Sequence, residues 1–133
     1  MGLDNGIIAR TTNNEKINTK LLALNTYTYS DGSHEIAYWR KCWNVRGAIA
    51  DVIGGIYDNG TTPLTYEDVI AVIKQLKWFN KKNWSGDSWY DGSIWEWDEI
   101  KKNHRGCIKR LEKLARLMKK YPGEIDVEFY DSY

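Results

Sequence analysis

The sequence predicts an α+β fold: a single domain, residues 1–133, whose small antiparallel sheet takes in strands from both ends of the chain and is covered by about three helices. Three observations carry this. Glu124–Tyr130 alternates strictly, with Ile125, Val127 and Phe129 on one face, the period of a half-buried strand. Ile100, His104, Cys107, Leu111, Leu114 and Met118 recur by threes and fours, the period of one helical face. No repeat, low-complexity tract or linker interrupts the 133 residues, a length that suits one domain.

Taken in order, Leu3 to Arg10 predicts a first strand through Ile7-Ile8-Ala9, after the turn-prone Asp4-Asn5-Gly6. A polar stretch, Thr11 to Lys16, leads into Ile17–Leu24, and Tyr27 and Tyr29 then alternate as on a half-buried strand. Ser30-Asp31-Gly32-Ser33 is a turn signal. His34 to Trp39 follows as a further strand or as the entry to a helix. From Arg40 the period becomes helical through Cys42, Val45, Ile49, Val52 or Ile53, and Ile56. Gly54-Gly55 weakens that helix and Asp58-Asn59-Gly60 stops it. Thr65 and Asp68 have capping-box spacing, and Val69, Ile70, Val72, Ile73, Leu76 and Phe79 give a second helix an apolar face to about Asn80. Ser93 and Glu96 repeat that spacing and open the third helix, which ends at Pro122-Gly123.

Composition narrows the function classes. At 42% hydrophobic and 28% charged the chain has the make-up of a folded domain, so disorder is excluded. A net charge of +1 excludes a grossly basic nucleic-acid binder and leaves room for a local basic surface. No apolar run approaches the roughly 18–20 residues of a membrane span. The N-terminus has no basic stretch leading into an apolar one, and Gly6 stands where an N-myristoylation motif wants Ser or Thr. The expectation is a cytoplasmic protein without membrane contact, with Cys42 and Cys107 as reduced core residues.

Five of the seven tryptophans fall between Trp78 and Trp97, and the densest part, Trp84 to Trp95, is too rich in Gly and Ser for a helix or a central strand. Such a loop either plugs a core or presents flat faces to a ligand. Burying five indoles requires a partner for each N–H. Trp78 and Trp97 are therefore assigned to the core by helical position, and Trp84, Trp89, Tyr90 and Trp95 to a ligand or partner surface. Asp87 and Asp91 can accept from a base or a ribose hydroxyl, or can hold their own turns. In Tyr38-Trp39-Arg40-Lys41, Trp39 can stack on a ring and Arg40 can grip a phosphate; equally, Arg40 can pair with a structural carboxylate. Lys102, Arg105, Lys109, Lys113, Arg116 and Lys120 form one stripe of the third helix, either a solvated face or an anion site.

Catalytic and metal chemistry find no pattern. His34-Glu35 lacks a second histidine four positions on, and His104 sits on the apolar seam. Two His and two Cys at unrelated spacings make no zinc site, and there is no nucleophile elbow, Walker loop or dinucleotide fingerprint. The expectation is no enzyme, no metal and no cofactor.

Met1-Gly2-Leu3-Asp4, Tyr38-Trp39-Arg40-Lys41, the loop around Gly86-Asp87-Ser88-Trp89-Tyr90-Asp91 and the ending Phe129-Tyr130-Asp131-Ser132-Tyr133 together resemble a family of small phage and prophage proteins. That family has no settled function. The matches are short but spread over nearly the whole chain. It usually carries an Asn and a His on the first turns after Tyr-Trp-Arg-Lys, where this chain has Cys42, Asn44 and Arg46, which puts any site using that histidine in doubt. The resemblance implies a phage accessory role in an infected bacterial host. Some phage proteins of this size counter host defence as sponges for cyclic or ADP-ribose-derived nucleotides, including sponges against the Thoeris system.

The leading expectation is a non-catalytic binder of a small phosphate-bearing nucleotide-type ligand. Trp39, Trp84, Trp89, Tyr90, Asp91 and Trp95 would hold the ring and sugar, and Arg40, Arg46 and Arg105 the phosphates. A pocket between subunits of a homo-oligomer suits such a sponge. The alternatives are an inhibitor docking on a host enzyme through the Trp-rich loop, and nucleic-acid binding along the basic third helix.

Overall fold

Capping, period and turn chemistry divide the chain into nine elements. The computed structural model describes residues 4–40, 42–84 and 96–132. In these the order is β1 (Asp4–Thr11), α1 (Glu15–Leu24), β2 (Tyr27–Thr28), β3 (His34–Arg40), α2 (Trp43–Ile53), β4 (Thr61–Leu64), α3 (Tyr66–Trp78), α4 (Trp97–Lys120) and β5 (Ile125–Ser132). The expected α+β class holds, with four helices among the described residues rather than about three. The strands form one antiparallel sheet in the order β2-β3-β1-β5-β4.

The first and last strands are neighbours at its centre. β1 pairs with β5 without interruption from Asp4↔Ser132 to Thr11↔Ile125, and with β3 across a register shift between Ile7 and Ile8. Alternation then sorts the side chains. Ile7, Ala37, Trp39 and Phe129 enter the core, where they meet Ile17 and Leu21 of α1 and the seam of α4. Gly6, Tyr38 and Tyr130 lie across from one another on the opposite face.

Local causes explain the boundaries. The Asn14 side chain accepts from the Ile17 amide at 3.1 Å and starts α1. α2 stops where Gly54 takes the left-handed conformation at φ 82°. Thr65 and Asp68 exchange side-chain bonds with each other's amides at 3.1 and 2.9 Å, completing the expected capping box of α3. α4 opens later than the Ser93 spacing suggests: Glu96 is its N-cap, answered by Glu99, and Ser93 lies outside the described residues. The short β4, with Pro63 in it, is an edge strand and was not foreseen; an edge tolerates the missing N–H. Among the described residues no helix is long and apolar enough to cross a membrane.

Candidate ligand-binding site

The residues expected to hold a ligand have separate fates. Trp39 is fully buried, and its Nε1 donates to His104 Nδ1 at 3.2 Å. Accepting there leaves the His104 proton on Nε2, which donates to the Leu76 carbonyl at 2.8 Å. Burial holds this imidazole below its ordinary pKa, so it is a neutral core residue, as its place on the seam suggested. The rings of Phe79, Trp84 and Trp97 surround it at 5.8, 6.1 and 5.7 Å between centroids. In this structure Trp39 is a core ring that presents no face for stacking. Its burial comes from the strand register, which local sequence does not display.

Trp84 is half-buried against Phe79 and Trp97, and Trp97 is core as expected. Trp78 is not: the residue is 57% exposed. The face of α3 that carries Val69, Val72, Ile73 and Leu76 explains this, since two residues beyond Leu76 is about 200° further round the helix.

Arg46 uses its guanidinium on structural partners. Nε and Nη2 grip the two oxygens of buried Asp131 at 2.9 and 3.0 Å, and Nη2 reaches Asp58 at 2.8 Å. Asp131 also accepts from Asn5 Nδ2 at 2.7 Å and from the Asn59 amide at 3.2 Å. Arg46 thus ties α2 to β5 rather than standing ready for an anion. Arg40 is exposed at the end of β3 and Arg105 on the outward side of α4. Trp89, Tyr90, Asp91 and Trp95, together with Asp87, lie outside the described residues.

A different set of cations does converge. α3 and α4 pack against each other, and the residues at i, i+4, i+7, i+8 and i+11 of α3 face those at i, i+3, i+4 and i+7 of α4 across a groove of about 470 Å³. Tyr66, Ile70, Ile73 and Ala115 make an apolar floor, and Ile70 is left 43% exposed by it. Lys74, Lys77, Arg116 and Lys119 stand over that floor beside a single acid, Glu112. Lys77 is paired with Glu112 at 2.9 Å, whereas Lys74, Arg116 and Lys119 have no ion pair with any described residue. Only Arg116 of these was on the stripe read from sequence. The signal for Lys74 and Lys77 was available in their spacing with Tyr66 and Ile70, once α3 and α4 are known to be antiparallel partners.

A second hollow of about 400 Å³ adjoins the first, and Tyr66 and Lys119 line both. Its other walls include Leu64, Glu67, Met118, Tyr121, Pro122 and Ile125. The Tyr121 hydroxyl is buried and has no hydrogen-bond partner among the described residues, a state worth about 1–3 kcal/mol of instability.

Nucleophile and metal chemistry stay unsupported among the described residues. Cys42 and Cys107 are free and buried, and desolvation pushes the Cys42 thiol up to about 12, where a thiolate does not form at neutral pH. No group of three or more His, Cys, Asp or Glu among the described residues could hold a metal ion. Comparison with protein-family models, curated proteins and solved structures finds no significant match to this chain.

Proposed function

We propose that the protein binds, without transforming it, a small phosphate-bearing ligand of the nucleotide type in the groove between α3 and α4. The observation that supports this is the placing of three cations with no ion partner among the described residues, Lys74, Arg116 and Lys119, above an apolar floor containing Tyr66. Phosphate gains charge-assisted hydrogen bonds from the rim, Arg116 offering a fork and the lysines point charges. A base gains apolar contact and a ring face from the floor. The groove volume falls within the range of small-molecule sites. In the phage setting that the sequence resembles, such a protein acts as a stoichiometric sink for a host nucleotide signal.

Titration of the purified protein with nucleoside mono- and triphosphates, read by thermal shift and calorimetry, tests the proposal. Ligand at 100 times its dissociation constant should add about 2.7 kcal/mol, a shift of several degrees. Lys74→Gln and Arg116→Gln should each weaken binding about tenfold or more, roughly 1.4 kcal/mol, with the unliganded melting temperature nearly unchanged because both side chains are exposed. Flat curves for every nucleotide, or wild-type affinity in both variants, would remove the groove as the site.

A second reading rests on the outward stripe of α4, where Lys102, Arg105, Lys109, Lys113, Arg116 and Lys120 are all exposed. A nucleic-acid backbone bound there would show affinity falling about a thousandfold or more between 50 and 200 mM salt, given six phosphate contacts. A single nucleotide in the groove would show a much shallower dependence.

A further inference from the structure

Two seats side by side suggest a ligand with two ring systems. We infer that the groove takes a phosphate-linked dinucleotide rather than a mononucleotide, an inference that rests on the nucleotide reading of the α3–α4 groove.

The argument starts from the two hollows of about 470 and 400 Å³, each of a size that holds one small-ligand moiety and each with its own apolar surface. Their linings differ in charge. The first has Lys74, Lys77, Arg116 and Lys119 against Glu112; the second has Lys119 against Glu67. The second hollow lies between the N-terminus of α3 and the C-terminus of α4, whose helix dipoles oppose each other there, so its side chains decide its charge preference. Phosphate therefore belongs in the first hollow and at its boundary with the second, within reach of Lys119. An uncharged nucleoside belongs in the second.

The second hollow has the groups such a nucleoside uses. Tyr121 supplies a ring, and Leu64, Met118 and Ile125 supply apolar contact. The Glu67 carboxylate accepts from a ribose hydroxyl or a base amino group. Tyr66 and Lys119, shared by both hollows, place a ring and a cation at the junction, where the linking phosphodiester would cross. A mononucleotide would leave one of the two apolar surfaces bare.

The test is a paired calorimetric titration of the full chain with AMP, GMP, CMP and UMP, each against its 5′-phosphorylated dinucleotide (pApA, pGpG, pCpC, pUpU). For the preferred base, the 3′,5′-bisphosphate is added, since it carries the second phosphate without the second ring. The dinucleotide should bind at least 30-fold tighter than the mononucleotide, and the bisphosphate should recover only a small part of that gain. Pro122 is exposed and lines the second hollow. Pro122→Trp should fill it, cancelling the dinucleotide advantage while leaving mononucleotide affinity intact; the retained affinity shows that the variant is folded. Equal affinity for mono- and dinucleotide would overturn the inference and leave the nucleotide site standing, as would a dinucleotide gain matched by the bisphosphate or untouched by Pro122→Trp. Failure of both ligand classes to bind would overturn the inference and the site together.

Discussion

Gly6 in the central strand has little freedom to change. A Cβ added there would lie 2.5 Å from Cε1 of Tyr130 and 2.7 Å from the carbonyl oxygen of Ala37. Tyr130 cannot simply swing aside. Its hydroxyl donates at 3.0 Å to the buried Glu35 carboxylate, which also accepts from Tyr29 at 2.9 Å and from Thr26 Oγ1 at 3.0 Å. Burial, reinforced by the Glu35 charge, raises the Tyr130 phenol far above its ordinary pKa, so it stays a donor wherever the protein is folded. Gly6→Ala should therefore cost about 1–3 kcal/mol through overpacking, read from the urea midpoint at unchanged slope. A wild-type midpoint would mean that the Tyr130–Glu35 contact yields without penalty. Residue identity alone announced none of this: Gly6 reads as a turn residue, and its role emerges only when Tyr38 and Tyr130 are placed across from it.

At the scale of elements, legibility followed how much of an element's stabilisation is local. α4 and β5 carry their burial pattern in their own sequence, so their type and buried face were readable: Ile100, His104, Cys107, Leu111, Leu114 and Met118 are all buried, as are Ile125, Val127 and Phe129. α3 was readable from its cap. Thr65→Ala should remove the side-chain half of that box and cost about 1 kcal/mol, within a range of roughly 0.5–2, measured by chemical denaturation. No loss of stability would show that the first turn of α3 is held from elsewhere. α1 and β4 went unread for the opposite reason. α1 buries only Ile17 and Leu21 fully, and β4 is four residues exposed in part, defined by pairing with β5. The groove is a product of two elements. Arg116 was visible on its own helix as part of a stripe, but its neighbours Lys74 and Lys119 join it along one groove only when α3 and α4 are packed together. The Trp-rich loop drew the sequence reading because composition is visible where packing is not.

For the whole molecule, stability and acidity are linked through its two histidines. Both His34 and His104 are buried, and desolvation lowers each below the ordinary value of 6.5. In the unfolded chain each takes a proton near 6.5, while in the folded protein it takes one only at lower pH. Between those values the unfolded state binds more protons, so stability rises with pH. The contribution is fully present above about pH 6.5 and is lost as pH falls through the lowered folded-state values. The carboxylates with depressed pKa, Asp31 through the hydrogen bond from the Ser33 amide and Asp98 through Lys101 and Lys81, start from 3.8 and titrate below this window. Calorimetric melting between pH 7.5 and 5 should show a falling transition temperature. A transition that rises on acidification would contradict the neutral, buried state of both rings. Acid is one route to taking the fold apart; the sheet's wiring governs how it is put together. Asn5 and Asp131 bond across a separation of 126 residues at the middle of the sheet. During synthesis β1 emerges before β5 and has to wait for it before it gains its longest pairing partner. Until then β1 has an unpaired edge, and the loop that must close is the 126-residue span between Asn5 and Asp131, a topology that slows folding.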